Sequence, residues 1–255
     1  MSSPYGLKVV ENCESCELRS ERLFCNLAPE PLQTFDSIRC VTAYPKGALL
    51  FVEGQAPVGI FLLCKGSVKM SACAGNGKIV VVRMAKPGEI LGLSATLSDR
   101  PYELTAETAE ACQVSFVKQN AYLRFLQDYP EACFKVTQQL SERYRLACEE
   151  VRWLGLVRAA DQRLAKLLLD WSTMHGKPED YLELPLTQED IAQLIGTARE
   201  TVSRLFIHLK NEGVIDWAGP VLIIRNRSRL KDIAGFEALT TSRGEIHGPG
   251  CRESI

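Results

Sequence analysis

The chain has 255 residues, 46% of them hydrophobic and 24% charged, which excludes a disordered polyampholyte and leaves room for about two ordinary domains. A formal net charge of −1 gives no global pull on nucleic acid, so any phosphate affinity must come from a local patch. There is no charged-then-apolar leader and no apolar run near the ~18 residues that span a bilayer; a cytoplasmic protein is expected, its ten cysteines reduced rather than disulfide-bonded.

From the N-terminus, the first chemistry-bearing stretch is Cys13-Glu-Ser-Cys16 followed by Cys25, within a segment of residues 1–28. Thiolates two residues apart can converge on one metal ion or one cluster, because the loop between them is short. Cys40, Cys64, Cys73, Cys133 and Cys148 have no partner at such a spacing and read as core, interface or surface residues, with Cys251 a tail thiol. Over residues 29–120 short apolar runs, Ala48–Val52, Ile60–Cys64, Val68–Ser71 and Ile79–Met84, are separated by turns such as Glu53-Gly54, Lys65-Gly66 and Pro87-Gly88. Short strands punctuated in this way, from about Pro29 onward, predict a β-barrel or double-sheet jelly roll.

Residues 121–158 suit long helices. Cys133, Val136, Leu140, Tyr144, Ala147, Val151 and Leu154 step by three or four along one of them, a narrow stripe that is half satisfied until the barrel or a second helix covers it. Trp153 and Gly155 mark its expected end. A further domain is expected over residues 159–236, opening on a helix that buries Leu164, Leu167, Leu168 and Trp171.

The centre of that domain is Leu186–Gly213, LTQEDIAQLIGTARETVSRLFIHLKNEG. Thr187 with Asp190 and Thr197 with Glu200 predict two capped helices, and Gly196 supplies the left-handed backbone of a tight turn between them. Ile191, Ala192, Ile195, Val202, Leu205, Phe206 and Leu209 would share one small core. Arg199, Glu200, Ser203 and Arg204 face outward, and with Thr187 and Thr197 at the helix starts they form the candidate DNA-binding set. Arginine offers two parallel donors to guanine, and glutamate can accept from cytosine N4. The same face also suits a solvated surface with i,i+4 pairing. Gly213–Trp217 and Val221–Ile224 around Ala218-Gly219-Pro220 predict a hairpin wing. Arg225, Arg227 and Arg229 after it are equally phosphate contacts or solvated surface, and residues 237–255 read as a disordered tail. No Ser/His/Asp or Cys/His catalytic set is visible, and His175, His208 and His247 lie in unrelated contexts, so no enzyme is expected.

RETVSR after IGTA, preceded by LTQEDIA, resembles the helix-turn-helix of the Crp/Fnr family of bacterial transcription regulators. KGSVK and the glycine pattern resemble that family's cyclic-nucleotide-binding barrel, so the likeness spans roughly residues 20–235. It implies an α+β chain: a cyclic-nucleotide-binding-like jelly-roll barrel, a long central dimerisation helix and a C-terminal winged helix-turn-helix, closer to the Fnr-like branch. It also implies a homodimer through Val136, Leu140, Tyr144, Ala147, Val151 and Leu154, bound to palindromic double-stranded DNA with half-site centres ~34–36 Å apart. A TGA-like core would be read by Glu200 and Arg204, with the outer base set by Arg199 or Ser203. RNA polymerase would be the partner of an activator.

In the Fnr branch three N-terminal cysteines and one in the barrel hold a [4Fe–4S] cluster. The matching residues are Cys13, Cys16, Cys25 and Cys112, although residues 17–24 make a longer gap than that branch has. A redox, oxygen or nitric oxide signal is implied; control by haem or a small ligand, or constitutive action, stays open, and more remotely an iron–sulfur redox protein. In the cyclic-AMP branch the nucleotide is held by a glutamate and an Arg-Ser pair, whose positions here are Leu93, Tyr102 and Glu103. With Glu103 read as a buried carboxylate facing the phosphate, cyclic AMP is not expected to bind.

Overall fold

The computed structural model describes residues 4–7, 9–17, 19–22, 24–73, 75, 77, 79–155, 159–172 and 181–235. The chain divides into two compact units, Met1–Leu156 and Val157–Ile255. The side chain of Leu154 and the tail from residue 236 on, with Cys251, lie outside what is described.

The first unit does not enter its strands at Pro29. It forms a helix there, α1 (Pro29–Ile38), because Pro29 sits at the start, where its missing N–H costs nothing, and Leu32 and Phe35 recur on one buried face. The strands follow: β1 (Cys40–Tyr44), β2 (Leu49–Phe51), β3 (Gly59–Lys65), β4 (Val68–Cys73), β5 (Ile79–Ala85) and β6 (Ile90–Leu91). A short helix, α2 (Leu93–Ser98), then leads to β7 (Thr105–Thr108) and β8 (Cys112–Lys118). They make two four-stranded antiparallel sheets, in the orders β1-β8-β3-β6 and β2-β7-β4-β5, the double-sheet arrangement that the regular turns predict.

The alternation of β3 and β8 organises this unit. Phe61 and Leu63 of β3, with Cys112 and Val114 of β8, point into the core between the sheets beside Phe51, Val68 and Tyr102. Ile60, Leu62 and Val117 point the other way, into a second core with Phe24, Leu32, Phe35 and Tyr122. Side chains two apart share a face, so Cys112 falls with Val114; Cys64 sits at the bulge between Leu63 and Lys65, and its packing places it with Ile60 and Leu62. Gly66 joins β3 to β4 with φ +85, and a Cβ there would lie 2.5 Å from the Ala111 carbonyl oxygen and 2.6 Å from Cys112 Sγ.

Helices α3 (Gln119–Asp128) and α4 (Pro130–Gly155) complete the unit. The stripe on α4 divides. Val136 is 2% exposed and belongs to the second core, so it is not a dimer contact: the barrel's own helices cover it. Beyond it Leu140, Tyr144, Ala147 and Val151 are all exposed. Glu89, almost fully buried, ties α4 to the barrel by ion pairs with Arg83 and Arg143, and Gln139 Nε2 donates to the Ile90 carbonyl.

The second unit contains α5 (Ala160–Ser172), β9 (Tyr181–Glu183), α6 (Gln188–Leu194), α7 (Arg199–Asn211), β10 (Ile215–Ala218), β11 (Val221–Ile224) and α8 (Arg227–Ala234). On α5, Leu164, Leu168 and Trp171 are buried and Leu167 is half-buried. The hairpin pairs Trp217 with Leu222 and gains β9 as a third strand.

Candidate nucleic-acid interface and cysteine cavity

Two helices position the candidate readers. Thr187 Oγ1 accepts from the Asp190 N–H at 3.1 Å while the Thr187 N–H donates to Asp190 Oδ2 at 2.9 Å, a complete capping box. Gly196 takes φ +62 after this helix, the left-handed conformation that the turn requires. Thr197 does not cap α7. Its N–H is committed to the Ala192 carbonyl at 2.9 Å, and Ala198 occupies the cap position with no side-chain hydrogen bond. The turn is instead fastened by Arg163 of α5, whose Nε donates to the Ile195 carbonyl at 2.6 Å. Arg163 carries no local motif, so only its contact in the fold reveals it.

Val202, Phe206 and Leu209 bury the inner face of α7, with Leu205 half-buried, and the Phe206 ring meets Trp217 of the wing edge-on at 5.6 Å. Edge-to-face aromatic contact of this kind adds about 0.5–1.5 kcal/mol beyond area burial and fixes the rotation of the helix. On the outer face Arg199, Glu200 and Arg204 are exposed and Ser203 is half-buried. Among the described residues no ion pair occupies Arg199 or Glu200, and Arg204 only donates to Thr201 Oγ1 at 3.3 Å. The i,i+4 pairing that a merely solvated face would use between Glu200 and Arg204 is not formed. The arginines after the wing differ: Arg225 pairs with Asp216 at 3.4 Å, Arg229 approaches Glu212 at 3.9 Å and Arg227 donates to Ser172 Oγ at 2.9 Å. Arg229 also lends its N–H to the Asn226 cap of α8, a helix that the periodicity did not reveal.

In the first unit the N-terminal segment lies against the face of the sheet that carries Cys64. Gln113 exchanges two hydrogen bonds with the Val10 backbone, at 2.9 and 2.7 Å. Arg39, its side chain 3% exposed, donates to Asp36 Oδ1, Ser115 Oγ and the Glu11 carbonyl. Asp36 in turn accepts from the Cys13 N–H at 3.1 Å. Burial opposes ionisation of Asp36, but the donors from Cys13 and Arg39 outweigh it and hold its carboxyl below the usual range.

Beside these bonds lies a partly open cavity of about 520 Å³, on whose wall stand Cys13, Cys16, Cys25 and Cys64. Burial pushes the Cys13 and Cys25 thiols up to about 12 and also raises Cys64, whose Sγ lies 3.4 Å from Ser115 Oγ. Cys112 is not among them. It is buried in the other core, its Sγ donating to the Ser67 and Glu110 carbonyls at 3.3 Å, and burial raises it to about 12. The expected set of Cys13, Cys16, Cys25 and Cys112 is therefore not brought together, because Cys112 has the opposite parity in its sheet. Cys64, read from its isolation in sequence as a core, interface or surface residue, takes the fourth place on the wall. Among the described residues no three Cys, His, Asp or Glu side chains stand close enough to hold a single metal ion.

The positions that match a cyclic-AMP site are filled by the fold. Leu93 is buried, and Tyr102 stacks on Phe51 at 4.1 Å while its hydroxyl donates to the Gly59 carbonyl. Glu103 is exposed rather than buried, since it follows Tyr102 onto the opposite side of the chain. No buried carboxylate at position 103 opposes a cyclic phosphate, contrary to expectation; what stands at these positions instead is the Tyr102 ring in place of an arginine.

Residues 41–129 match the cyclic nucleotide-binding domain and residues 162–233 the Crp-like helix-turn-helix domain. The transcriptional activatory protein AadR of Rhodopseudomonas palustris is 24% identical and the nitrogen fixation regulation protein FixK of Bradyrhizobium diazoefficiens 26% identical, each over 90% of this chain and 94% of the relative. The structure of FixK2 from Bradyrhizobium japonicum superposes with a TM-score of 0.69 at 23% identity, over 77% of this chain and 97% of that one. No helix among the described residues is long and apolar enough to cross a membrane. With both domains matched in this order and relatives aligned along nine-tenths of its length, the chain belongs to the Crp/Fnr family: it is a DNA-binding transcription regulator and not an enzyme.

Proposed function

We propose that this regulator is a homodimer that reads a palindrome of TGA-like half-sites through Glu200 and Arg204, and that its signal enters through the N-terminal cysteines. The observation that carries the reading is the outer face of α7, where Arg199 and Glu200 are exposed without ion-pair partners among the described residues and the inner face packs Phe206 against Trp217. The exposed Leu140, Tyr144 and Val151 on α4 favour a partner helix there, and a two-fold pair would set the recognition helices ~34–36 Å apart, one turn of DNA. The similarity to AadR and FixK along nearly the whole chain supports a place in the Fnr-like branch, and as an activator, the role that AadR's name states, the protein would contact RNA polymerase. The Tyr102 ring and the lost arginine disfavour cyclic AMP as the ligand.

An iron–sulfur cluster is the cofactor that suits a redox, oxygen or nitric oxide signal; bound beside Cys13, Cys16 and Cys25, it would supply a centre that those agents attack. The chain's own part is to hold the thiols against the sheet through Arg39, Asp36 and Gln113. A signal switches DNA binding only by stabilising one dimer arrangement over another, typically by ~1–3 kcal/mol. The test is a shift assay at fixed salt on a palindromic TGA duplex. Arg204→Ala is expected to weaken specific binding by about 10- to 100-fold, the value of one bidentate base contact, and Cys13→Ser to leave the intrinsic contacts intact. Equal affinity of wild type and Arg204→Ala for specific and scrambled duplexes would sink the reading.

A further inference from the structure

We propose that Cys64 is the fourth thiolate of an iron–sulfur centre held with Cys13, Cys16 and Cys25, and that Cys112 is a core thiol with no part in it. The inference deepens the reading of the N-terminal cysteines as the input and rests on it.

The packing of the two thiols separates them: Cys64, at the bulge of β3, approaches Ser115 Oγ at 3.4 Å on the side of the N-terminal segment. Along β3, Ile60, Leu62 and Cys64 share the face on which the N-terminal segment lies, and Cys13 and Cys64 both pack against the core that contains Cys25. Cys112 on β8 points through the sheet to the other core, beside Val114 and Leu63. Its sulfur is held there, donating to the Ser67 carbonyl at 3.3 Å and packed under Gly66. The four thiols of the cavity come from three separate segments, 13–16, 25 and 64, that only this fold brings to one wall.

Size and charge point to a cluster rather than a single ion. A tetrahedral zinc site draws four sulfurs to about 2.3 Å from one atom, and no three ligand side chains among the described residues are gathered so tightly. A cavity of about 520 Å³ is within the ~300–1,000 Å³ of pockets that enclose multi-atom ligands, and a four-iron cluster spreads its thiolates over separate corners. Four thiolates give such a centre a net negative charge. Arg22, Arg39 and Lys65 stand on the same wall, with the Arg39 guanidinium buried and fixed by three acceptors. Glu11 and Glu17, also on that wall, are exposed to solvent, where water screens them.

The full chain, purified anaerobically, is assayed for iron, acid-labile sulfide and zinc, alongside Cys64→Ser and Cys112→Ser. Wild type and Cys112→Ser are expected to carry iron and sulfide in similar amounts, and Cys64→Ser at least about tenfold less, since losing even an outer-shell partner of a metal ligand costs about 10- to 100-fold in affinity. Should Cys64→Ser fail to fold, alkylation of the wild type decides instead: Cys13, Cys16, Cys25 and Cys64 should become reactive only after chelation, while the exposed Cys40 and Cys73 react throughout. Iron retained by Cys64→Ser and lost by Cys112→Ser, or Cys64 labelling that chelation does not change, would overturn the ligand set and leave the N-terminal cysteines as the input. Zinc without sulfide, or a metal-free wild type, would overturn the iron–sulfur assignment, whereas the DNA reading stands or falls separately on Arg204→Ala.

Discussion

On α7 the candidate readers lie between Arg199 and Arg204 on one helix, and their direction follows from 3.6-residue periodicity alone. The cysteine cavity is assembled otherwise: Cys13, Cys16, Cys25 and Cys64 meet only after two sheets have formed and the N-terminal segment has been pinned by Gln113 and Arg39. A helix face of this kind tolerates substitution, because its outer residues contribute little to stability. The cavity inherits the cooperativity of the whole barrel, so a change far from any thiol can dismantle it.

The largest effect is expected from Gly66→Ala. At φ +85 an L-residue is strained, and the new Cβ would press on the Ala111 carbonyl oxygen and on Cys112 Sγ at 2.5 and 2.6 Å. Strain and overpacking together are expected to cost the first unit about 2–4 kcal/mol. The signature would be a lower denaturation midpoint by far-UV circular dichroism and alkylation of cysteines that are otherwise protected. A midpoint unchanged within roughly 0.5 kcal/mol would show that the β3–β4 corner is softer than its geometry says.

A smaller effect tests the second region. Thr187→Ala removes a complete capping box and should cost the second unit about 1 kcal/mol, whereas Thr197→Ala, which caps nothing, should stay within about 0.5 kcal/mol. Urea unfolding followed by tryptophan fluorescence reads this through Trp171 and Trp217, the first buried and the second packed on Phe206. Equal losses for the two threonines would mean that α7 has a cap after all.

The two threonines also show how far each region was legible. Leu186–Gly213 is contiguous, so its capping signal, its glycine turn and its apolar spacing can be read together, and the structure leaves Arg199, Glu200 and Arg204 exposed on α7 as that spacing predicts. The error at Thr197 arose because a Thr-x-x-Glu pattern says nothing of a backbone N–H already committed to Ala192. The expectation of strands from about Pro29 onward misses α1, because a helix of ten residues with prolines in its first turn carries little periodicity of its own. Cys112 was assigned by its match to the family position, and Cys64 was dismissed by its isolation. Which face of a sheet meets the N-terminal segment is set by pairing across more than 50 residues, such as Leu62 with Ser115, and spacing carries no trace of it.

The smallest expected effect lies in the core behind the thiols. Tyr122 is fully buried among Phe24, Phe35 and Phe125, and among the described residues its hydroxyl is the one buried side-chain polar atom without a hydrogen-bond partner. Burial raises its ionisation well above the ordinary phenol range, so the group stays neutral and its burden is only an unmade hydrogen bond, about 1–3 kcal/mol of desolvation. Tyr122→Phe keeps the ring contacts with Phe24 and Phe125 and removes the orphaned oxygen, so the first unit should become more stable by about 1 kcal/mol. A loss of stability would reveal a water molecule serving the hydroxyl. Because Cys25 belongs to the same core, a gain without any change in cysteine protection would show that this core can be tightened without moving the thiol wall, whereas a change in protection would make the two a single cooperative block.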